Sequence, residues 1–120
     1  MENSTQYEGR TTIAPEVLLT IAKLTTLSVP GVSRLWSLSS KKMQHLLKRA
    51  HAIDGVTIEI DDDVVHTDLY VVLKSDCNVR EVSRNIQNNV TRAISEMVGM
   101  QVGRVNIHIE DIDYTSELEA

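Results

Sequence analysis

The sequence predicts a single α+β domain, a two-layer sandwich in which both long helices cover one face of a small sheet. The chain has 120 residues, of which 42% are apolar, and this is enough for one hydrophobic core. One long stretch repeats its apolar residues at the period of a helix, and three others alternate apolar and polar residues as strands do. The predicted order is β-α-(short α)-β-β-α-β, which is two strand–helix–strand units joined by a hairpin.

The folded domain is predicted to span residues 10–112. Residues 1–9 are polar and are expected to form a disordered N-terminus, and residues 113–120 are expected to form an acidic C-terminal tail. Residues 10–14 are expected to add a short first strand.

The first long helix is predicted to begin at Pro15, because proline suits the first helical position. Glu16 is favourable beside the N-terminal dipole, and Pro30 followed by Gly31 ends the helix. The side of this helix predicted to face the core consists of Val17, Leu18, Ile21, Leu24 and Leu27.

The stretch between Glu16 and Asp54 is unusual because it contains six basic residues and no acidic one, although the whole chain has a net charge of −5. Within it, residues 39–51 are predicted to form a short helix with Ser39 or Ser40 as its cap. Its apolar side is predicted to consist of Met43, Leu46, Leu47 and Ala50.

Residues 56–74 predict two strands joined by an acidic turn. In the first strand Val56, Ile58 and Ile60 alternate with polar residues. In the second strand one face is predicted to carry Val65, Thr67, Leu69, Val71 and Leu73, and the other Val64, His66, Asp68 and Tyr70.

The second long helix is predicted over Asn78–Gly99, with Asn78 and Glu81 as a capping box and Gly99 as the left-handed residue that ends it. A last strand is predicted within residues 102–112, because its apolar residues alternate with Asn106, His108 and Glu110. The core residues predicted from this helix and strand are Val82, Ile86, Val90, Met97, Val105, Ile107 and Ile109.

Composition argues against several functional classes. The net charge of −5 disfavours binding to nucleic acids, which needs an excess of lysine and arginine. The chain also lacks the GxxG loop of KH-type RNA-binding domains. One cysteine indicates a reducing compartment such as the cytoplasm, and no apolar run suggests a leader or a membrane span.

Residues able to carry chemistry are few, and neither a catalytic residue nor a cofactor is predicted. Cys77 has no nearby histidine in the sequence that would activate it. His66, Asp68 and His108 point outward from two strands, where they would form either a metal site or a solvated sheet face. Asp61–Asp63 lack the spacing of a calcium loop and fit a soluble turn.

The basic stretch has two compatible interpretations. In the first, it is a surface that meets anionic lipid or an acidic partner. In the second, it is a small helix that closes one edge of the core. A third use is head-to-tail association with the acidic remainder of a second copy. The predicted partner or membrane surface consists of Arg34, Trp36, Lys41, Lys42, Lys48 and Arg49.

With these elements placed, the sequence resembles the alkaline-shock and general-stress (Gls24-type) envelope protein family of Gram-positive and related bacteria. The resemblance covers about residues 12–112. It rests on IAPEVLLTIAKL, on Val29-Pro30-Gly31-Val32, and on NIQNNVTRAISEMVGMQVGRVNIHI. Where that family usually has an aromatic residue followed by glycine before the last helix, this chain has Asp76-Cys77.

The resemblance implies a non-enzymatic, cytoplasmic protein that works by assembling. Such a protein would form homo-oligomers and collect at the inner face of the cell membrane, through a small membrane protein or an anionic lipid surface. An alternative function implied by other members is that of a regulatory or ligand-binding accessory domain for a kinase-like enzyme of fatty-acid metabolism.

Overall fold

The computed structural model describes residues 8–37 and 51–114 and confirms the predicted α+β fold, with two helices on one face of a five-stranded sheet. The elements are α1 (Pro15–Ser28), β1 (Val32–Leu35), β2 (His51–Ile53), β3 (Val56–Asp61), β4 (Val64–Lys74), α2 (Val79–Val98) and β5 (Gln101–Asp113).

The order of the first elements differs from the prediction. Residues 10–14 form no strand. Ile13 is the one large apolar side chain among them, so they lack the alternating apolar residues of a strand, and Ile13 alone packs against the core. The first strand is instead β1, which directly follows α1. The short helix predicted over residues 39–51 falls almost wholly outside the described residues, and at its end His51 begins β2.

Strand β4 is the centre of the sheet. Strand β5 runs parallel to it along its whole length, from Val64 to Lys74. On the other edge of β4, β3 pairs antiparallel with residues 64–69 and β1 pairs antiparallel with residues 71–73, so that these two strands lie end to end. Strand β2 pairs with β3 and extends the sheet further.

Two tight turns flank β3, and both use residues with positive φ. Asp62 and Asp63 join β3 to β4 with φ of 54° and 66°, and Asp54 and Gly55 join β2 to β3 with φ of 44° and 83°. Two-residue turns of this kind match the twist of antiparallel strands, and aspartate and glycine tolerate them best. The predicted β3–β4 hairpin is confirmed.

The termini of helix α2 are those that the sequence predicts. The side chain of Asn78 accepts a hydrogen bond from the backbone N–H of Glu81 at 3.0 Å. At the other end, Gly99 has φ of 76° and its N–H donates to the carbonyl oxygen of Ser95 at 3.0 Å.

The core face of α2 follows a row of every fourth residue, Val82, Ile86, Val90 and Ile94, all of which are buried. Continuing that row leads to Val98, which packs against the core. The prediction that Met97 lies in the core is therefore wrong, because 71% of this side chain is exposed.

Helix α1 shows a similar shift of its buried side. Leu18, Ala22 and Thr26 form a buried row, joined by Leu19 and Ile21. The predicted core positions Val17, Leu24 and Leu27 are wrong, since their side chains are 46%, 59% and 39% exposed. A helix that packs through a row of every fourth residue turns the apolar residues beside that row, here Val17, Leu24 and Leu27, toward solvent.

The core lies between the helices and one face of the sheet. From the sheet it receives Val56, Ile58, Val65, Leu69, Val71 and Leu73. Val105, Ile107 and Ile109 of β5 pack against this cluster but are only half-buried. In the part of the chain that the structure describes, no helix combines the length and the apolar character that a membrane span requires.

Candidate interaction surface

The sheet face that points away from the helices carries a continuous set of polar and aromatic side chains. Strand register pairs Asp68 of β4 with Asn106 of β5, and Tyr70 of β4 with His108 of β5. Residues paired across neighbouring strands project to the same face of a sheet. These four residues are therefore on one surface, and we call them the outer-face cluster.

Hydrogen bonds hold the outer-face cluster together. The carboxylate oxygen Oδ1 of Asp68 lies 2.8 Å from Nε2 of His108 and 3.2 Å from Nδ2 of Asn106. Because an ionised carboxylate only accepts hydrogen bonds, both nitrogens must donate to it. Nε2 of His108 is therefore the ring nitrogen that donates to Asp68.

The ring of His108 also stacks on Tyr70, with the two ring centroids 4.4 Å apart and their planes inclined by 12°. Burial raises the pKa of the Tyr70 phenol, and the negative charges of Asp68 and Glu110 raise this pKa further. Tyr70 therefore remains an uncharged hydrogen-bonding group at physiological pH.

Strand β1 extends this surface. Arg34 pairs with Val72, and the backbone N–H of Trp36 donates to the carbonyl oxygen of Tyr70 at 2.7 Å. The Arg34 guanidinium carbon lies 5.8 Å from the Trp36 ring centroid, which is within cation–π range. Two of the predicted partner residues thus lie beside the outer-face cluster, whereas Lys41, Lys42, Lys48 and Arg49 lie outside the described residues.

The three residues considered as a metal site are not brought together. His108 bonds Asp68, but the Nδ1 atom of His66 accepts a hydrogen bond from the backbone N–H of Arg104 at 3.1 Å. Within residues 8–37 and 51–114, no group of three or more histidine, cysteine or acidic side chains is placed to hold a metal ion. Cys77 packs against the core beside Gly31.

A bulge in β5 explains the position of His66. Between Val102 and Val105 the register against β4 gains one extra residue on β5. Gly103 lies in this bulge, and a Cβ atom there would overlap the His66 ring, coming within 2.7 Å of its Nδ1 atom. The imidazole therefore lies in space that only glycine leaves open.

We expect Gly103→Ala to lower the free energy of unfolding by about 1–2 kcal/mol, because the displaced imidazole loses its bond to the Arg104 N–H. In a His66→Ala background the same change should cost clearly less. Urea denaturation of the four proteins measures the coupling between the two sites. Equal costs of Gly103→Ala in both backgrounds would show that His66 is not the group for which glycine is needed.

An open groove of 680 Å³ lies at the β3–β4 turn, beside the end of α2. Its lining includes the apolar side chains of Ile13, Ile60 and Val98 and the acidic side chains of Asp62 and Asp63. The C-terminal end of a helix carries partial negative charge, so helix and turn together disfavour an anionic ligand here. Asp61–Asp63 are exposed residues of this turn and its edge.

Sequence reasoning identified most of these residues separately but missed their arrangement. Strand β1 was not predicted, because four residues give too short a period to recognise. Without β1, nothing in the sequence places Arg34 and Trp36 beside Tyr70. The Gly103–His66 contact also depends on a bulge. The sign of this bulge in the sequence is an isolated glycine within a strand pattern.

Comparison with known proteins gives a family match over residues 3–114. The family is that of alkaline shock protein 23, described as having a cell envelope-related function. The chain is 37% identical over 110 residues to an uncharacterized protein, Spy1535, of Streptococcus pyogenes serotype M6, covering 91% of this chain and 83% of the relative. It is 24% identical to the uncharacterized Bacillus subtilis proteins YqhY and YloU, covering 99% and 97% of this chain and 88% and 98% of those relatives.

Solved structures with some likeness include the MamM CTD in its copper form. That structure has 14% sequence identity and a TM-score of 0.46, covering 82% of this chain and 86% of the other. A variant of the same MamM domain gives a TM-score of 0.48 over 83% of this chain and 100% of the other, also at 14% identity.

Proposed function

Because this chain belongs to the alkaline shock protein 23 family, which has a cell envelope-related function, we propose that it is a non-enzymatic, oligomerising interaction domain. In this proposal it works as a scaffold next to the membrane during envelope or alkaline stress. The observation that carries the proposal is the outer sheet face, where Arg34 and Trp36 adjoin the outer-face cluster.

The composition of this face suits the binding of a protein partner. Tyrosine, tryptophan and arginine are the side chains most enriched where proteins bind each other. Trp36 and Tyr70 are only half-buried, so part of each ring remains available for contact. The stacking of His108 on Tyr70 and its bond to Asp68 order the surface before a partner arrives. Such preorganisation reduces the entropy cost of binding.

The same geometry favours a binding role over catalysis. The Asp68 carboxylate already accepts hydrogen bonds from His108 and Asn106, so its hydrogen-bonding capacity is met without a substrate. These groups are spread over a sheet face, whereas acid–base catalysis usually requires them to converge in a cavity.

The proposed membrane contact is the basic stretch that begins at Arg34. From Arg34 to Arg49 the sequence has five basic residues and no acidic one. One lysine or arginine near an anionic lipid surface contributes about 1 kcal/mol. A few such contacts give weak and reversible binding, so recruitment would be helped by an anchored membrane protein as a partner.

We expect the triple substitution of Lys41, Lys42 and Lys48 by glutamate to abolish recruitment to anionic vesicles, with little change in melting temperature. A matched control replaces Arg80, Arg84 and Arg92 with glutamate. These three arginines are exposed on α2, and the control changes the net charge by the same amount. Co-sedimentation with vesicles containing phosphatidylserine measures the effect.

Loss of binding in the first triple variant alone supports the basic stretch as the membrane contact. Equal loss in both variants would mean that net charge matters and that the position of the charge does not. Unchanged binding in the first variant would remove the basic stretch from the proposal. Recruitment to the membrane would then rest on a protein partner bound at the outer-face cluster alone.

The groove beside the β3–β4 turn favours the alternative function, an accessory domain that binds a ligand for a kinase-like enzyme. Its volume of 680 Å³ is within the range of small-molecule sites. However, Asp62 and Asp63 and the end of α2 repel the negative charge of a fatty acid or a phosphate. A ligand here would therefore be neutral or cationic, and binding would raise the melting temperature with ligand concentration.

A further inference from the structure

Strand β5 lies at an edge of the sheet. It is 13 residues long and pairs with β4 on one side, while no strand of the described residues pairs with its other side. Its inward residues Val105, Ile107 and Ile109 are only half-buried. A long edge strand with unpaired backbone groups is a template for pairing with another strand.

The structure of β5 is symmetric about Ile107. One bulge lies between Val102 and Val105, and a second lies between Ile109 and Asp111, each with one extra residue on β5. The exposure pattern is similar on both sides of Ile107 from the second residue outward, whereas of the two adjacent residues Asn106 is exposed and His108 is half-buried. Moving away from Ile107, each side has a half-buried residue two positions away, then two exposed residues, then another half-buried residue.

We propose that a second copy of this chain pairs with this edge, β5 to β5, antiparallel and centred on Ile107. The inference rests on the proposed oligomeric function and specifies the surface that the oligomer uses. A strand pairs with its own copy by a two-fold axis only when its sequence is self-complementary about one point. Strand β5 meets this requirement for its apolar residues, for the charges of Arg104 and Glu110, and for having one bulge on each side of Ile107.

In this register Arg104, Glu110 and the inward apolar residues of β5 face suitable residues of the second copy. Arg104 faces Glu110 of the second copy, and Glu110 faces Arg104, so two opposite-charge pairs form. On the inward side Val105 faces Ile109, and Ile107 faces itself. Opposite charges and apolar pairs directly across antiparallel strands are both stabilising.

The pairing would join two sheets into one, with the outer-face cluster of each copy on the same side. Because the two-fold axis is perpendicular to the sheet, the helices of both copies stay together on the opposite side. Several backbone groups of β5 are already engaged. The N–H groups of Arg104 and Ile112 donate to His66 Nδ1 and to Asp111 Oδ1, close to the two bulges. Nearer to Ile107, Gln87 Nε2 donates to the carbonyl oxygen of Val105 at 3.0 Å. A carbonyl oxygen has a second lone pair, so this bond is compatible with an added strand.

The register is tested by disulfide formation in a Cys77→Ala background, which removes the one natural cysteine. Ile107→Cys should give a covalent dimer on mild oxidation. Residues directly opposite across antiparallel strands have Cα atoms about 4.5–5.5 Å apart, and a disulfide spans about 4.4–6.8 Å. Val105→Cys is the matched control. Its two copies would be offset by four residues, or about 13 Å along the strand, which is too far to bond.

The charges are tested without cysteine chemistry, on side chains that are exposed in the chain. Arg104→Glu and Glu110→Arg should each weaken the dimer about tenfold or more, because each places like charges at two symmetric pairs. The double variant Arg104→Glu with Glu110→Arg should restore most of the wild-type affinity. Sedimentation velocity over a concentration series measures the dissociation constants.

The outcomes separate this inference from the proposed function. A covalent dimer with Ile107→Cys and not with Val105→Cys, together with restoration in the charge-swapped variant, supports the interface. Wild-type oligomers that resist both single charge changes would overturn the β5 pairing and leave an oligomeric scaffold in place. A wild-type chain that remains monomeric at every protein and salt concentration would overturn the pairing and the oligomeric function together.

Discussion

Replacing Ile86 with alanine is expected to lower the free energy of unfolding by about 2–4 kcal/mol. Ile86 is 0% exposed and lies in the middle of the buried row of α2, inside the core cluster. Removing its buried atoms loses their transfer free energy and leaves a cavity that the packed neighbours fill only in part. Chemical denaturation monitored by circular dichroism gives the change directly.

Met97→Ala is the matched control for Ile86→Ala, because both side chains lie on α2 and lose several carbon or sulfur atoms. Met97 is 71% exposed, so its truncation should change stability by less than about 0.5 kcal/mol. Val90→Ala, also at a fully buried position, should behave like Ile86→Ala. Equal effects at Ile86 and Met97 would contradict the placement of the buried row.

The second large effect is expected at Gly55, where alanine should cost about 2–4 kcal/mol. Gly55 has φ of 83°, which is unfavourable for a residue with a side chain by about 1–2 kcal/mol. In addition, a Cβ atom would overlap the backbone carbonyl of Trp36 and come within 3.0 Å of the carbonyl oxygen of Tyr70. These are backbone atoms, so relief requires β1, β3 or β4 to move, which adds the cost of overpacking.

Gly99→Ala is the control that separates the cost of a positive φ from the cost of steric overlap at Gly55. Gly99 has a similar φ of 76°, but no atom lies within 4 Å of the position its Cβ would take. This variant should therefore lose only about 1–2 kcal/mol. Urea denaturation compares the two variants, and the fluorescence of Trp36, the single tryptophan, reports the local displacement. A Gly55→Ala variant that is as stable as Gly99→Ala would show that the junction of β1 and β3 adapts freely.

Gly55 also connects the fold to the proposed function. Its carbonyl oxygen accepts a hydrogen bond from the N–H of Tyr70 at 2.8 Å, and the carbonyl oxygen of Tyr70 accepts one from the N–H of Trp36 at 2.7 Å. The close approach of these three residues brings Trp36 to the outer-face cluster. Gly55→Ala should therefore disturb partner binding at the outer face more than its stability loss alone explains.

The sequence by itself determined those features that depend on nearby residues. Helix α2 could be predicted because Asn78 caps it, Gly99 ends it, and its apolar residues recur at the helical period. The β3–β4 hairpin could be predicted because acidic turn residues separate two alternating stretches. The α+β class followed from the order of these elements, and the family resemblance followed from their motifs.

The tertiary structure alone decided which members of each apolar stripe are buried. Met97 and Val98 both satisfy the helical period, yet Val98 packs against the core and Met97 does not, because the sheet contacts a row of every fourth residue. The same reason exposes Leu24 on α1. Periodicity defines a side of a helix, whereas the crossing of helix and sheet decides which row is covered.

Long-range pairing likewise brought together residues that the sequence keeps apart. Trp36 and Tyr70 meet only because β1 and β3 share one edge of β4, and Asp68 and His108 meet only because β5 runs parallel to β4. The symmetry of β5 about Ile107 also needed the structure, since the two bulges decide which of its residues face inward. Local sequence encodes a strand and its alternation, but its partner, register and bulges depend on packing across the whole domain.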